Sequence, residues 1–139
     1  MTFTIQPAPT SGPLFEGAIR VYGDAFARPP YSDPDRGREV RQRMRDVHAL
    51  RKGFRLLVAV DERNAVVGMI YGYHGESGQW WHDTVVKAVP ACDSDTWLSD
   101  SYELVEVGVD PGHQDRGIGT ALIAALLEGR PETTCVLST

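Results

Sequence analysis

The chain has 139 residues, enough for one domain with a single core, and we expect residues 1–139 to form that one domain. Hydrophobic residues make up 42% and charged residues 24%, shares typical of a globular protein, and a net charge of −5 argues against nucleic acid as a partner. Two cysteines are too few for a disulfide framework or a zinc cluster. With neither a signal-peptide pattern nor a membrane-length apolar run, the sequence predicts a cytoplasmic protein without a membrane partner.

The first third of the chain predicts a strand followed by two helices. Residues 2–5 alternate polar and apolar side chains, and residues 14–26 carry apolar side chains at helical spacing. A second helix begins with Asp33 as its N-cap and Pro34 at its first helical position. Its apolar stripe and its end are marked by Val40, Met44, Val47 and Arg51. Its other faces are rich in arginine, which indicates either a solvated surface or a surface that attracts anions.

The middle of the chain predicts a β-hairpin and a long connection. Residues 54–60 are typical of a buried strand, residues 61–64 of a turn, and residues 66–73 of the returning strand. The segment 75–101 is too long for a simple loop. A connection of this size is usually functional or contains a short helix, here over residues 81–86.

The last third predicts a strand over residues 102–109, a sharp turn, a helix over residues 117–128 and a final strand over residues 133–137. The complete order is therefore β-α-α-β-β-β-α-β, an α/β arrangement. Two glycines, Gly117 and Gly119, lie in the first turn of the last helix. They allow a bulky anion to approach amide groups that have no intrahelical partner, so a phosphate or pyrophosphate is the expected ligand.

Three phosphate-binding patterns compete for this turn. A P-loop requires a lysine that the segment lacks, and the dinucleotide fingerprint requires a small residue where Leu122 stands. The pattern Q/R-x-x-G-x-G/A fits residues 114–119. The neighbouring sequence supports a phosphate-binding role for this pattern, because the pattern follows a valine-rich strand and directly precedes an amphipathic helix.

Residues 105–123, VEVGVDPGHQDRGIGTALI, resemble motif A of the GNAT superfamily of N-acetyltransferases, and the preceding elements follow the same order. The resemblance implies a mixed, mostly antiparallel sheet flanked by helices, with acetyl-CoA as co-substrate. It implies that the pyrophosphate is held by backbone amides of Gln114, Asp115, Arg116, Gly117, Ile118, Gly119 and Thr120. It also implies that the fourth strand splays from the fifth, so that Val107, Gly108 and Val109 bind the pantetheine arm like an added strand.

Two glutamates on the fourth strand are candidates for the general base that acetyl transfer to an amine needs. Side chains alternate along a strand, so Glu103 is predicted to share a face with Val105 and Val107, and Glu106 to lie on the opposite face. The sequence spacing of Glu103 ahead of Gln114, the first residue of the glycine turn (residues 114–120), resembles that of the strand glutamate used as base in histone-type members of the family. Glu106 is the alternative if the amine enters from the other face.

Trp80 and Trp81 stand side by side in the long connection. They either fill the core beneath it or line the acceptor pocket, where the adjacent His82 and Asp83 would suit an amine-bearing small molecule. The four histidines lack the spacing of metal ligands, so no metal site is predicted.

The resemblance implies transfer of the acetyl group from acetyl-CoA to a primary amine, on a small molecule or a peptide, by direct attack. The alternative is a non-catalytic acyl-CoA-binding or regulatory domain that retains the cofactor site. In the family, a fourth helix and two strands follow the fifth strand, with a tyrosine that protonates the thiolate. The chain ends at Thr139, before that part, so we expect a C-terminally truncated form of the fold. We expect it to retain the cofactor contacts and to expose an edge that favours a homodimer.

Overall fold

A five-stranded sheet forms the centre of the computed structural model, which describes residues 2–139. The strands are β1 (Phe3–Pro7), β2 (Arg55–Asp61), β3 (Val66–His74), β4 (Ser101–Val109) and β5 (Thr134–Val136). They lie in the order β1-β2-β3-β4-β5, and all neighbours are antiparallel except β4 and β5, which are parallel. The predicted mixed, mostly antiparallel sheet is confirmed.

Five helices and two short 3₁₀ turns connect the strands of the described chain. The helices are α1 (Pro13–Ala27), α2 (Arg36–Asp46), α3 (Trp80–Ala88), α4 (Ala91–Trp97) and α5 (Ile118–Leu127), and the 3₁₀ turns are His48–Leu50 and Pro111–His113. Over residues 2–139, no helix combines the length and the apolar character needed to cross a membrane. The order of elements agrees with the sequence prediction except between β3 and β4.

Both faces of the sheet are covered, which explains why residues 56–60 of β2 form a continuous apolar run. On one face, Leu56 and Val58 pack against α1 and α2. On the other face, Leu57 and Ala59 pack against α5. The helix residues in these two layers include Phe15, Ala18, Tyr22, Val40 and Met44 on the first face and Ile118, Leu122 and Leu126 on the second. The candidate site residues of β4 are therefore held between two packed layers.

The second helix differs from its prediction at both ends. It begins at Arg36 rather than Pro34, because the Asp33 carboxylate accepts a hydrogen bond from the Asp35 amide and closes a turn before the helix. It ends at Asp46, and Val47 is 45% exposed, so the predicted stripe stops one turn early. The chain then turns through the 3₁₀ segment His48–Leu50.

The long connection between β3 and β4 contains two helices. The first, α3, covers the predicted segment 81–86, whereas the second, α4, was not predicted. Pro90 separates them, since it interrupts the backbone hydrogen-bond pattern. No residue of α4 is buried, so its sequence carries no apolar periodicity from which a helix could be recognised.

A buried ion pair fixes the segment before β5. The side chain of Glu132 is 2% exposed and accepts hydrogen bonds from Arg130, at 3.0 and 2.9 Å, and from His74 Nδ1 at 2.9 Å. Burial disfavours its charge, but these two partners outweigh burial and lower the pKa of Glu132 to about 2. The network joins the start of β5 to the end of β3.

Replacing Glu132 with Gln should lower the free energy of unfolding near neutral pH by about 3 kcal/mol. The folded-state pKa lies below the ordinary 4.5, so the carboxylate stabilises the fold above that pH and loses its effect as the pH falls towards 2. Urea unfolding across this acid range should show the loss in the unmodified chain and not in Glu132→Gln. Glu128→Gln, an exposed neighbour, is the control. Identical acid dependence of Glu132→Gln and the unmodified chain would contradict the prediction.

Candidate functional site

A β-bulge interrupts the pairing of β3 with β4. Tyr71 pairs with Glu106 and Gly72 pairs with Leu104, so Val105 is an extra residue on β4. Gly72 makes this possible, because a Cβ atom there would lie 2.4 Å from the carbonyl oxygen of Glu103. The bulge thus requires glycine on the opposite strand.

The bulge places both candidate glutamates on the same face of the sheet. The partners of Glu103 and Glu106 on β3 are two residues apart, and such residues share a face. The prediction that the two glutamates point to opposite faces is therefore wrong, since it assumed unbroken alternation. Val105 packs on the α1 side, as predicted for the face of Glu103, but Val107 packs on the α5 side.

The carboxylate of Glu106 is held by two side chains from the helical layer. Its Oε2 accepts a hydrogen bond from the Tyr22 hydroxyl, and Arg36 Nη2 lies 3.7 Å from its Oε1. Arg36 also donates from Nε to the Tyr22 oxygen at 2.8 Å and stacks 4.0 Å from the ring centre of Phe26. Burial raises the pKa of Glu106, while Tyr22 and Arg36 act in the opposite direction. Glu106 is thus part of a closed three-residue network.

The carboxyl group of Glu103 has a different environment. The residue is 7% exposed, and its Oε1 has no hydrogen-bond partner among the described residues. Burial raises the pKa of Glu103 to about 7, although the charges of Arg51 and His82 act to lower it. A carboxyl group with a pKa near neutrality can both accept and release a proton at physiological pH.

Beyond Glu103, β4 has a free edge. Its pairing with β5 covers only Ser101 to Glu103. From Leu104 to Val109, the side of β4 that faces away from β3 has no strand partner within the described residues. The predicted splay between the fourth and fifth strands lies at this point.

The glycine turn opens onto a cavity of about 480 Å³ beside this edge. The cavity is lined by Val107, Gly108 and Val109 and by six residues of the turn, namely Gln114, Asp115, Gly117, Ile118, Gly119 and Thr120. Arg116, predicted with them, is not in this wall. Gly117, the residue directly before α5, has φ of 81°, a left-handed conformation that favours glycine. The first amides of α5, at the positive end of its dipole, therefore suit an anion at this end of the cavity.

A second cavity of about 340 Å³ continues along the free edge of β4. Four residues line both cavities, namely Phe26, Tyr31, Val107 and Ile123. The second extends to Arg36 and Glu106. A path therefore runs from the glycine turn to Glu106, and Glu103 lines neither cavity.

The two neighbouring tryptophans lie in different environments. Trp80 is 77% exposed. Trp81 lines a further cavity of about 570 Å³ together with Trp97, Leu137 and Ser138. Leu137 and Ser138 also line the cavity at Glu106. Trp81 rather than Trp80 therefore lies near the glutamate end of the path.

Comparison with known proteins identifies the family. The sequence model of the acetyltransferase (GNAT) family matches residues 18–132. The chain belongs to this family. It is 32% identical over 149 residues to the GCN5-like protein acetyltransferase Rv2170 of Mycobacterium tuberculosis. This match covers 88% of the present chain and 69% of the relative.

Solved structures share the fold. A GNAT family acetyltransferase from Brucella melitensis, in complex with acetyl-CoA, is 26% identical with a TM-score of 0.62, over 98% of this chain and 75% of that one. The GCN5-related glucosamine N-acetyltransferase region of a fungal multi-domain GH3 β-N-acetylglucosaminidase has a TM-score of 0.66 at 18% identity. That match covers 99% of this chain and 14% of the fungal chain, so the likeness is one of fold.

Sequence reasoning missed two residues of the site, Tyr22 and Arg36. Tyr22 reads as one more apolar position of α1, and Arg36 as one of several arginines on α2. A fully buried tyrosine needs a partner for its hydroxyl, which is the signal that could have revealed a polar contact. The partner itself, Glu106, is 84 residues away and could not be identified from the pattern.

Titration of Glu103 tests whether its carboxyl group is buried as the structure shows. Carboxyl ¹³C NMR should give a pKa of about 7. Glu106→Gln should lower it by removing a like charge, and Arg51→Met should raise it by removing an opposite charge. The remote Glu128→Gln should leave it unchanged. A midpoint close to the ordinary 4.5 would show that the carboxyl group is solvated.

Proposed function

We propose that the chain transfers the acetyl group of acetyl-CoA to a primary amine on a small molecule or a peptide. The observation that carries this proposal is the free edge of β4, which leads from the glycine turn to Glu106, a residue on the same face of the sheet as Glu103. Membership of the GNAT family and the acetyl-CoA complex of the Brucella relative support the choice of acetyl donor.

The residues of the first cavity fit the two parts of coenzyme A. The N-terminus of α5 and the turn from Gln114 to Thr120 offer backbone amides to the pyrophosphate. Val107, Gly108 and Val109 offer free strand backbone to the amides of the pantetheine arm, in the manner of β-strand addition. From Val109 to Leu104 the strand extends about 17 Å, which brings the far end of the arm close to Glu103.

Glu103 is the proposed general base. Acetyl-CoA supplies an activated thioester, and the amine must lose a proton before it can attack. The Glu103 carboxylate can take this proton, directly or through water, because one of its oxygens has no hydrogen-bond partner within residues 2–139. Glu106 is the alternative base, but it would have to give up its contacts with Tyr22 and Arg36.

Gly119→Asp tests the cofactor site. A carboxylate at this position would face the pyrophosphate, so the affinity for CoA should fall at least tenfold, about 1.4 kcal/mol, by calorimetry. Gly119 suits the test, because a Cβ atom there meets only Val109 Cγ2, at 3.8 Å. Gly119→Ala is the matched control, since it adds the Cβ without the charge, and it should bind CoA normally. Equal affinities of the two variants, with circular dichroism unchanged, would place the pyrophosphate elsewhere.

Glu103→Gln tests the base. We expect kcat to fall on the order of a hundredfold, with the affinity for acetyl-CoA unchanged. In the unmodified chain kcat should rise with pH through about 7, because only the carboxylate accepts a proton, and the variant should lose this rise. The assay is thiol release across a panel of primary amines.

Glu106→Gln is the comparison variant for this assay. A normal pH profile in Glu103→Gln together with a large loss in Glu106→Gln would transfer the role to Glu106. If acetyl-CoA binds but no amine leads to thiol release, the chain is an acyl-CoA-binding domain and the proposed transfer is wrong.

A further inference from the structure

A basic surface lies beside the two candidate glutamates. Residues 36–52, which include α2 and the 3₁₀ turn after it, contain six arginines and one lysine but only two carboxylates. The whole chain has a net charge of −5, so the positive charge is concentrated in this segment. A charged surface of this kind is either solvated or attracts anions. The contacts of the individual arginines distinguish these two possibilities.

One arginine of this surface is partly buried and lacks a carboxylate partner. Three others form ion pairs with carboxylates of the fold, namely Arg36 with Glu106, Arg38 with Asp35 and Arg41 with Glu16. Arg43 and Arg45 are exposed on α2. Arg51, which follows the 3₁₀ turn, is only partly exposed and forms no ion pair within residues 2–139. Removing a charge from water costs free energy that an anionic partner normally offsets, so Arg51 is the candidate to bind an anion.

Tyr73 fixes the position of Arg51 relative to Glu103. The guanidinium carbon of Arg51 lies 4.6 Å from the centre of the Tyr73 ring. Tyr73 is the direct partner of Glu103 in the pairing of β3 with β4, and such partners have Cβ atoms about 5 Å apart. Burial raises the pKa of Glu103, and the charge of Arg51 is the largest effect that opposes it. One small molecule can therefore reach from the guanidinium of Arg51 to the carboxyl group of Glu103.

The neighbouring histidine carries no charge near neutral pH. The ring centres of His48 and Tyr73 are 5.1 Å apart, and Nδ1 of His48 lies 2.9 Å from the hydroxyl oxygen of Tyr71. Burial lowers the pKa of His48 to about 4, and the charges of Arg51 and Arg43 act in the same direction. The positive charge beside Tyr73 therefore belongs to Arg51, whose guanidinium keeps its proton at any ordinary pH.

The surroundings of Glu103 thus offer charges of both signs to a ligand. Glu103 and Glu106 lie on one face of the sheet and attract an ammonium group. Arg51 attracts a carboxylate, to which its planar guanidinium can donate two parallel hydrogen bonds. An amine with only positive charges would be repelled by Arg51 and by the basic surface of α2. An amine that also carries a carboxylate meets an opposite charge at both ends.

We propose that the acceptor is a zwitterionic amine of the amino-acid class, whose carboxylate binds Arg51 while its amine faces Glu103. This acceptor class rests on the proposed acetyl transfer, in which Glu103 takes a proton from the amine. Arg51 is then a specificity-determining residue, since it contacts the acceptor and takes no part in the bond changes. Polyamines and other amines without an anionic group are expected to be poor acceptors.

The transfer to such an acceptor balances in protons and electrons. The ammonium group has three protons, of which the amide product keeps one. One proton passes to Glu103, and the nitrogen lone pair then forms the N–C bond with the acetyl carbon. The C–S bond breaks with its electron pair on sulfur, which takes the second nitrogen proton. The products are an N-acetyl amino acid and CoA, and Glu103 returns its proton to solvent. The carboxylate is unchanged, so Arg51 contacts substrate and product alike.

The test compares amino acids with their carboxamides as acceptors for the full chain. The two members of each pair have nearly the same shape, but the carboxamide lacks the negative charge. Thiol release from acetyl-CoA gives kcat/KM for each member, and the ratio of the amino acid to its carboxamide is the selectivity. The selectivity is compared between variants, so the different basicity of the two amines cancels. We expect Arg51→Met to lower it by about tenfold or more, because the variant loses a charge-assisted contact.

Two control variants separate this contact from other effects of the charge. Arg45→Met removes an exposed arginine of α2 and should leave the selectivity unchanged. Arg51→Lys keeps the charge without the paired hydrogen bonds, so it should retain part of the selectivity, and it replaces Arg51→Met if that variant does not fold. Arg51→Met also raises the pKa of Glu103, which slows both acceptors of a pair near pH 7 without changing their ratio.

A binding measurement tests the same contact without turnover. The product keeps the carboxylate, so an N-acetyl amino acid should bind the chain in the presence of CoA more tightly than the matching N-acetyl carboxamide. Calorimetry measures both affinities. Arg51→Met should remove the difference between the two probes, whereas Arg45→Met should retain it.

The outcomes separate the acceptor class from the acetyl transfer. If amines release thiol but Arg51→Met has the selectivity of the unmodified chain, the acceptor class is wrong and the acetyl transfer stands. A polyamine as the best acceptor would have the same consequence. An equal loss of selectivity in Arg45→Met would overturn the contact with Arg51. If no amine releases thiol, the acetyl transfer is wrong, and the acceptor class is wrong with it.

Discussion

The pairing of β3 with β4, with its one extra residue at Val105, is the constraint on which the rest of the site depends. It forces a glycine at position 72, turns both glutamates towards the layer of α1 and α2, and sends Val107 to the opposite layer. In a regular strand, the two glutamates would lie on opposite faces of the sheet. They could then not both contact one ligand. The bulge in the backbone therefore determines that both candidate glutamates lie on one face of the sheet.

The fold treats its two neighbouring carboxyl groups differently. Glu106 receives a hydroxyl and a guanidinium from the helical layer, which pair its charge and hold it in place. Glu103 is buried, is affected by the charge of Arg51, and has one oxygen without a hydrogen-bond partner in the described part of the chain. Two carboxyl groups on one face with such unlike environments are a recurrent basis for separate roles in proton transfer.

The features that the sequence could predict are local ones. Neighbouring residues are enough to predict the glycine turn before α5, the apolar runs of β2 and β3 and the periodicity of α1. The structure contains each of these elements. The bulge, the contact of Tyr22 with Glu106 and the proximity of Arg51 to Tyr73 depend on distant segments, so alternation along β4 alone gave the wrong face for Glu106. Gly72, an isolated glycine inside a strand, was the available sign of the bulge.

The burial of Glu103 also affects the stability of the whole chain. Its folded-state pKa is raised, so between about 4.5 and 7 the folded chain binds more protons than the unfolded chain, and stability falls as the pH rises through this range. A glutamine of the same shape would avoid this cost. Residues that weaken the fold in which they lie are frequent where activity and stability conflict. Above about pH 7, the strand that carries the candidate base therefore also lowers the stability of the fold.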